Sequence, residues 1–107
     1  MIDNFRQVNR LLVTLEENLP IVASMTPQLA ARIRQQASGY IPRQCAVTAV
    51  HYLGDEGGIV CKLDLQGGDG RREFLASITH LEFDPRQPFA GDVAAYQKHR
   101  IERLAAA

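Results

Sequence analysis

Apolar residues near the start of the chain recur every three or four positions, at Phe5, Val8, Leu12, Leu15 and Leu19. Steps of this size keep side chains on one side of a helix, so the pattern predicts an amphipathic helix over residues 3–19. Asp3 is the predicted N-cap, because its carboxylate can accept hydrogen bonds from free backbone amides. Pro20 ends the helix, since proline lacks the amide hydrogen and clashes with the preceding turn.

A second helix is predicted over residues 27–38, after a short link at residues 21–25. Thr26 and Pro27 are typical of a helix start, where a side-chain cap is followed by proline in the first turn. The apolar residues of this segment share one helical face, at Leu29, Ile33 and Ala37. Gly39 then provides a favourable C-terminal stop.

Beyond the second helix the apolar period changes to two. Alternating side chains predict strands over residues 45–53, 59–66 and 72–83. The middle strand is the clearest, with one apolar face made of Ile59, Cys61, Leu63 and Leu65. Glycine-rich segments at 54–58 and 67–70 join the strands, and glycine permits the positive φ angles of tight turns. These features predict a three-stranded antiparallel meander.

A last helix is predicted over residues 89–104, with an apolar face made of Phe89, Val93, Tyr96, Ile101 and Leu104. A three-stranded sheet with one apolar face needs a cover, which this helix and the N-terminal helices can supply. We therefore expect a single α+β domain. It would have two N-terminal helices, a three-stranded antiparallel meander and a C-terminal helix packed on one sheet face.

Composition narrows the class of protein but not its function. The 107 residues are 46% hydrophobic, and twelve basic residues balance twelve acidic ones, giving a formal net charge of zero. Nucleic-acid-binding proteins usually carry a positive excess, so this balance argues against that class. Zero net charge favours self-association. The absence of a signal peptide and of a long apolar run predicts a cytoplasmic protein that does not enter a membrane.

The segment Gly54-Asp55-Glu56-Gly57-Gly58 resembles a ligand loop in composition only. A phosphate loop lies between a strand and a helix, whereas this segment joins two strands, and its two acids would repel an anion. A calcium loop spreads its acidic ligands over about twelve positions. We therefore predict that the segment turns the chain and binds neither a phosphate nor a metal.

Cysteine and histidine offer the other candidate chemistry. If the first hairpin is centred on Glu56, Leu53 faces Ile59 and His51 faces Cys61. That register would place an imidazole beside a thiol. Buried cysteine nevertheless behaves mostly as a small hydrophobe, so core packing is the favoured interpretation. His51, Cys61 and His80 remain the candidate ligand-binding or reactive residues. No metal site or cofactor is predicted, because the spacings lack close ligand pairs.

Three classes of function remain open. The favoured one is a non-enzymatic interaction or accessory module that self-associates as a dimer or binds a protein partner, with candidate interface residues Phe5, Val8, Leu12 and Leu15. The first alternative is an enzyme or small-ligand protein with its site between sheet and helices. The second is weak nucleic-acid binding through the basic C-terminal helix, which carries Lys98, His99, Arg100 and Arg103.

Overall fold

The computed structural model describes residues 2–37, 40–65 and 72–106, and within them the fold is α+β. Five strands form one antiparallel sheet, and four α-helices and one 3-10 turn accompany it in this part of the chain. In chain order the elements are α1 (Phe5–Asn18), β1 (Ile21–Met25), α2 (Pro27–Gln36), β2 (Gln44–Tyr52), α3 (Gly54–Gly57), β3 (Ile59–Leu65), β4 (Arg72–Ser77), β5 (Leu81–Glu82) and α4 (Ala90–Ala106). The predicted class is confirmed, whereas the predicted three-stranded meander is incomplete.

The first additional strand is β1, which occupies the predicted link at residues 21–25. It lies in the sheet between β2 and β5, in the order β4-β3-β2-β1-β5. Its side chains alternate, with Ile21, Ala23 and Met25 buried and Val22 61% exposed. The five residues between Pro20 and the start of the next helix are too short a pattern to predict a strand.

The second additional strand arises because the predicted strand at 72–83 is interrupted. β4 ends at Ser77, and a 3-10 turn over Ile78–His80 leads into β5. The Ser77 hydroxyl accepts a hydrogen bond from the Thr79 amide at 3.2 Å, which stabilises the turn. β5 then pairs with β1 at the opposite side of the sheet from β4.

The predicted register of the first hairpin is also wrong. The connection between β2 and β3 places Val50 opposite Cys61 and His51 opposite Val60, and a β-bulge between Val47 and Ala49 then shifts the pairing by one more position. A bulge adds one unpaired residue to a strand, and apolar alternation alone does not show where it falls. The predicted segment 67–70, the second turn, lies outside the described residues.

Three helices bury their apolar faces on the same side of the sheet. One core cluster joins α1, α2 and α4 to the strands, and its members include Leu11, Ile33, Val47, Leu63 and Val93. The opposite side of the sheet carries exposed residues, such as Val22, Gln44, His51 and Leu75. We call this side the open sheet face.

The two longest helices differ from their predicted forms at the ends. α1 begins at Phe5, and its N-cap is Asn4, whose side chain accepts a hydrogen bond from the Gln7 amide at 3.1 Å. The predicted cap Asp3 is instead buried. In α4 the buried face consists of Val93, Tyr96 and Arg100. The predicted core residues Ile101 and Leu104 are 54% and 46% exposed, because α4 extends beyond the core after Arg100.

Candidate functional site

Both cysteines lie in the core on the helix side of the sheet. Cys45 is 5% exposed and Cys61 is fully buried, and neither forms a disulfide. Burial raises the pKa of Cys45 to about 11, and burial, followed by electrostatic repulsion from a Cys45 thiolate, raises the pKa of Cys61 to about 12. Both thiols are therefore protonated at neutral pH. Since the thiolate is the nucleophile and the metal ligand, this setting does not favour reactive cysteine chemistry.

The two candidate histidines lie apart from the thiols. His51 is exposed on the open sheet face, whereas Cys61 points to the helix side, so the structure does not bring this pair together. His80 is partly buried at the end of the 3-10 turn. Burial, followed by the positive charge of Arg32, lowers the pKa of His80 below its ordinary value. The positions of His51, Cys61 and His80 are therefore not suited to nucleophilic catalysis.

The apolar stripe of α1 packs mainly inside the protein. Val8 and Leu15 are each 1% exposed, and the partly buried Leu12 packs against the core. Phe5 differs from them, because its side chain is 66% exposed at the first position of the helix. Of the four candidate interface residues, Phe5 is the one that presents most of its side chain to solvent.

A buried polar network joins the start of the chain to α4. Arg100 and Asp3 are each 3% exposed, and the Arg100 guanidinium donates to both carboxylate oxygens of Asp3 at 3.1 Å. The Tyr96 hydroxyl donates to Asp3 Oδ2 at 3.0 Å and accepts from the Ile59 amide at the same distance. We call Asp3, Tyr96 and Arg100 the buried network. No local sequence pattern could reveal it, because Asp3 and Arg100 are 97 positions apart.

The glycine-rich segment between β2 and β3 takes part in this network. It connects the two strands as predicted, but through the single helical turn α3, between Gly54 at φ 76° and Gly58 at φ 64°. Arg100 donates to the carbonyls of Asp55 and Glu56 at 3.0 and 2.9 Å. The Asp55 carboxylate accepts from the Ile2 amide at 3.1 Å. The segment thus contacts the chain's own N-terminal residues.

A shallow groove of about 570 Å³ lies between the start of α1 and the second half of α4. We call it the basic groove, after the lining residues Arg6, His99 and Arg103, and the exposed Phe5 lines it as well. His99 Nε2 lies 3.1 Å from the Ile2 carbonyl oxygen, and because that oxygen can only accept, Nε2 carries the hydrogen. The sequence pattern predicted His99 and Arg103 on the last helix, but not that they line one groove with Phe5 and Arg6.

The second exposed feature is the outer edge of β4. Within residues 2–37, 40–65 and 72–106, β4 pairs only with β3, which leaves its other side without a strand partner. Leu75 lies on the open sheet face and is 68% exposed. On the same face Lys62 and Glu73 form a salt bridge of 2.7 Å across β3 and β4.

Comparison of the chain with protein-family models, curated proteins and solved structures gives no match. The described residues contain no group of three or more His, Cys, Asp and Glu side chains placed to hold a metal ion. In that part of the chain, no helix has both the length and the apolar character required to cross a bilayer. The basic groove and the edge of β4 are the exposed features that bear on function.

Proposed function

We propose that the protein is a non-enzymatic interaction module that self-associates as a homodimer through the outer edge of β4. The observation that carries the proposal is a six-residue edge strand whose central Leu75 is 68% exposed. Backbone N–H and C=O groups on an unpaired edge can extend the sheet with a strand from another chain. An exposed leucine at the centre of such an edge adds apolar area that pairing would bury.

The length of the strand favours β4 over the other edge of the sheet. β5 contains two residues, Leu81 and Glu82, and offers correspondingly few backbone groups to a partner. β4 extends from Arg72 to Ser77 and can form a continuous ladder. A sheet joined at β4 in two copies would contain ten strands.

The sequence of β4 suits antiparallel pairing with a second copy of itself. A two-fold axis at Leu75 places the two leucines opposite each other, with Glu73 opposite Ser77 and Phe74 opposite Ala76. Each pair lies on one face of the sheet, because the register keeps odd positions opposite odd positions. Phe74 and Ala76 then continue the helix-side core across the interface.

Charge is compatible with this arrangement. The register brings no two like charges directly opposite each other between residues 73 and 77, and Glu73 is already paired with Lys62. The formal net charge of zero removes the long-range repulsion that separates highly charged copies. A second copy is therefore the occupant that the edge fits best.

Sedimentation velocity over a range of protein concentrations tests the proposal. The unchanged protein should reach twice the 11.9 kDa chain mass as concentration rises. Leu75→Lys should remain a monomer, because two lysines would lie opposite each other at the two-fold axis. Val22→Lys is the matched control, since Val22 is 61% exposed on the same face but lies on β1. It should dimerise like the unchanged protein.

Hydrogen exchange provides a second readout that does not depend on a substitution. Amides of β4 that pair with the second copy should exchange more slowly at high concentration than at low concentration. Amides of β2, which has a neighbour on both sides, should show no such dependence. A protein that stays at 11.9 kDa throughout, or a Leu75→Lys variant that still dimerises, would overturn the proposal.

The arrangement of the core gives less support to a small-ligand site between sheet and helices. That space is filled by side chains from both layers, and Ile59, Cys61, Leu63 and Tyr96 are fully buried there. Ligand sites are concave and open to solvent, with a few convergent polar groups. The surface features described above fit an interaction module more closely.

A further inference from the structure

We propose that the basic groove binds a nucleotide, with the phosphate held by Arg6 and the base stacked on Phe5. The nucleotide is either free or part of a single-stranded nucleic acid, since both present the same phosphate and base. This proposal is independent of dimerisation through β4. It rests on four residues that the fold collects from α1 and α4.

Phe5 supplies the stacking surface. It is the first residue of α1, and its ring is 66% exposed, whereas Val8, Leu11 and Leu15 of the same helix are buried. Single-strand-binding proteins use aromatic side chains in this way, because every base offers a flat face and stacking tolerates all sequences. An exposed aromatic ring beside cationic side chains matches the two parts of a nucleotide.

The charge in the groove favours an anion. Arg6 comes from α1, and His99 and Arg103 come from successive turns of α4. Asp3 is the one acidic side chain among the described residues that line the groove, and its carboxylate accepts two hydrogen bonds from Arg100 at 3.1 Å. That pairing offsets its negative charge. Guanidinium groups suit phosphate because their planar donors match its oxygens.

The walls of the groove are held in place before any ligand arrives. The Ile2 amide donates to Asp55 at 3.1 Å, and the Ile2 carbonyl accepts from His99 at the same distance. Pre-organised sites lose less conformational entropy on binding. The volume of about 570 Å³ lies within the range of small-molecule sites. The groove cannot be recognised from the amino-acid composition, because the net charge of the chain is zero and the basic residues of the groove are distant in sequence.

Chemical-shift mapping on the full, isotope-labelled chain tests the proposal with two probes. One is adenosine monophosphate, and the other is a short single-stranded oligothymidylate, each titrated at low salt, where charge interactions are least screened. We expect the largest shifts at Phe5, Arg6 and His99. Equal affinity for the two probes identifies a free nucleotide as the ligand, whereas tighter, salt-sensitive oligonucleotide binding identifies a nucleic acid.

Matched variants on α1 separate the groove from general surface effects. Phe5→Ala should weaken binding about fivefold or more, as loss of a stacked base contact does. Arg6→Gln should weaken binding about fivefold or more, because it removes a charged hydrogen-bond donor to the phosphate. Val13→Ala and Arg10→Gln are the controls, because both residues are exposed on the same helix and do not line the groove. Their dissociation constants should not change. The absence of groove shifts with both probes, or unchanged binding by Phe5→Ala, would overturn the proposal.

Discussion

Arg100→Met tests whether the buried network stabilises the fold. Methionine preserves much of the length of the side chain but removes every donor. Arg100 makes four hydrogen bonds, two to the Asp3 carboxylate and one each to the carbonyls of Asp55 and Glu56, at 2.9 to 3.1 Å. All four are lost together in the variant.

The expected cost follows from burial. Asp3 and Arg100 are each 3% exposed, so water cannot replace the lost partner of the carboxylate without opening the structure. The Tyr96 hydroxyl still donates to Asp3, but no longer with a cation beside it. Removing one member of a buried ion pair typically costs about 3–5 kcal/mol. That is a large part of the 5–15 kcal/mol by which domains are typically stable.

Urea and thermal unfolding followed by circular dichroism measure the effect. A loss of about 3 kcal/mol corresponds to a fall in Tm of roughly 12 °C or more for a chain of this size. Lys98→Met is the control on the same helix, because Lys98 is exposed, and it should stay within about 0.5 kcal/mol of the unchanged protein. If Arg100→Met costs no more than Lys98→Met, the network does not stabilise the fold as argued.

A double-mutant cycle separates the pair from its surroundings. Asp3→Asn removes the charge that Arg100 neutralises, so the double variant Asp3→Asn/Arg100→Met should cost less than the two single variants added together. Residues in direct contact typically show coupling energies of about 0.5–3 kcal/mol. Additive costs would show that the two side chains act independently, contrary to the 3.1 Å contacts.

Three further outcomes are expected. Gly58→Ala should destabilise by about 3 kcal/mol and Gly54→Ala by about 1 kcal/mol in urea unfolding, because both have positive φ but only a Cβ at Gly58 would lie 2.6 Å from the Arg100 side chain. Equal costs would contradict this contact. Cys45 and Cys61 should resist alkylation at pH 8 until the protein unfolds, because burial raises both pKa values, as measured by mass spectrometry. Modification of the native protein would refute their burial. Finally, the pKa of His80 is lower in the folded protein than in the unfolded chain, so the unfolded chain binds the proton more readily. The free energy of unfolding is therefore highest above the pKa of His80 in the unfolded chain, and it decreases as the pH falls from that value through the pKa in the folded protein. His80→Gln should therefore lose less stability between pH 7.5 and pH 5 than the unchanged protein, and an identical pH profile would contradict this.

Periodicity predicted the elements that are long enough to show it. The helical stripe from Phe5 to Leu15 and the alternation in β3 correspond to an observed helix and strand. One face of each of these elements is buried, and burial on one face produces a periodic pattern of apolar residues in the sequence. The α+β class followed from these two signals.

Features that depend on residues distant in sequence do not produce a periodic pattern. β5 has two residues and exists because β1 is beside it, so its pairing is a tertiary contact rather than a local preference. The register beside the turn α3 differs by one position from the predicted one, so His51 lies opposite Val60 and on the other face of the sheet from Cys61. The basic groove likewise combines two helices from opposite ends of the chain.

Asp3 shows how a correct local rule can give the wrong role. An acid just before an apolar stripe is typical of an N-cap, but Asn4 takes that position, and Asp3 pairs with Arg100. An apolar residue at position 100 could fill the same space, yet it would leave the carbonyls of Asp55 and Glu56 without their donor. A planar guanidinium satisfies these carbonyls and Asp3 at once, because its donors point in several fixed directions. The polar residue on the buried face of α4 is therefore required by the turn α3 as much as by Asp3.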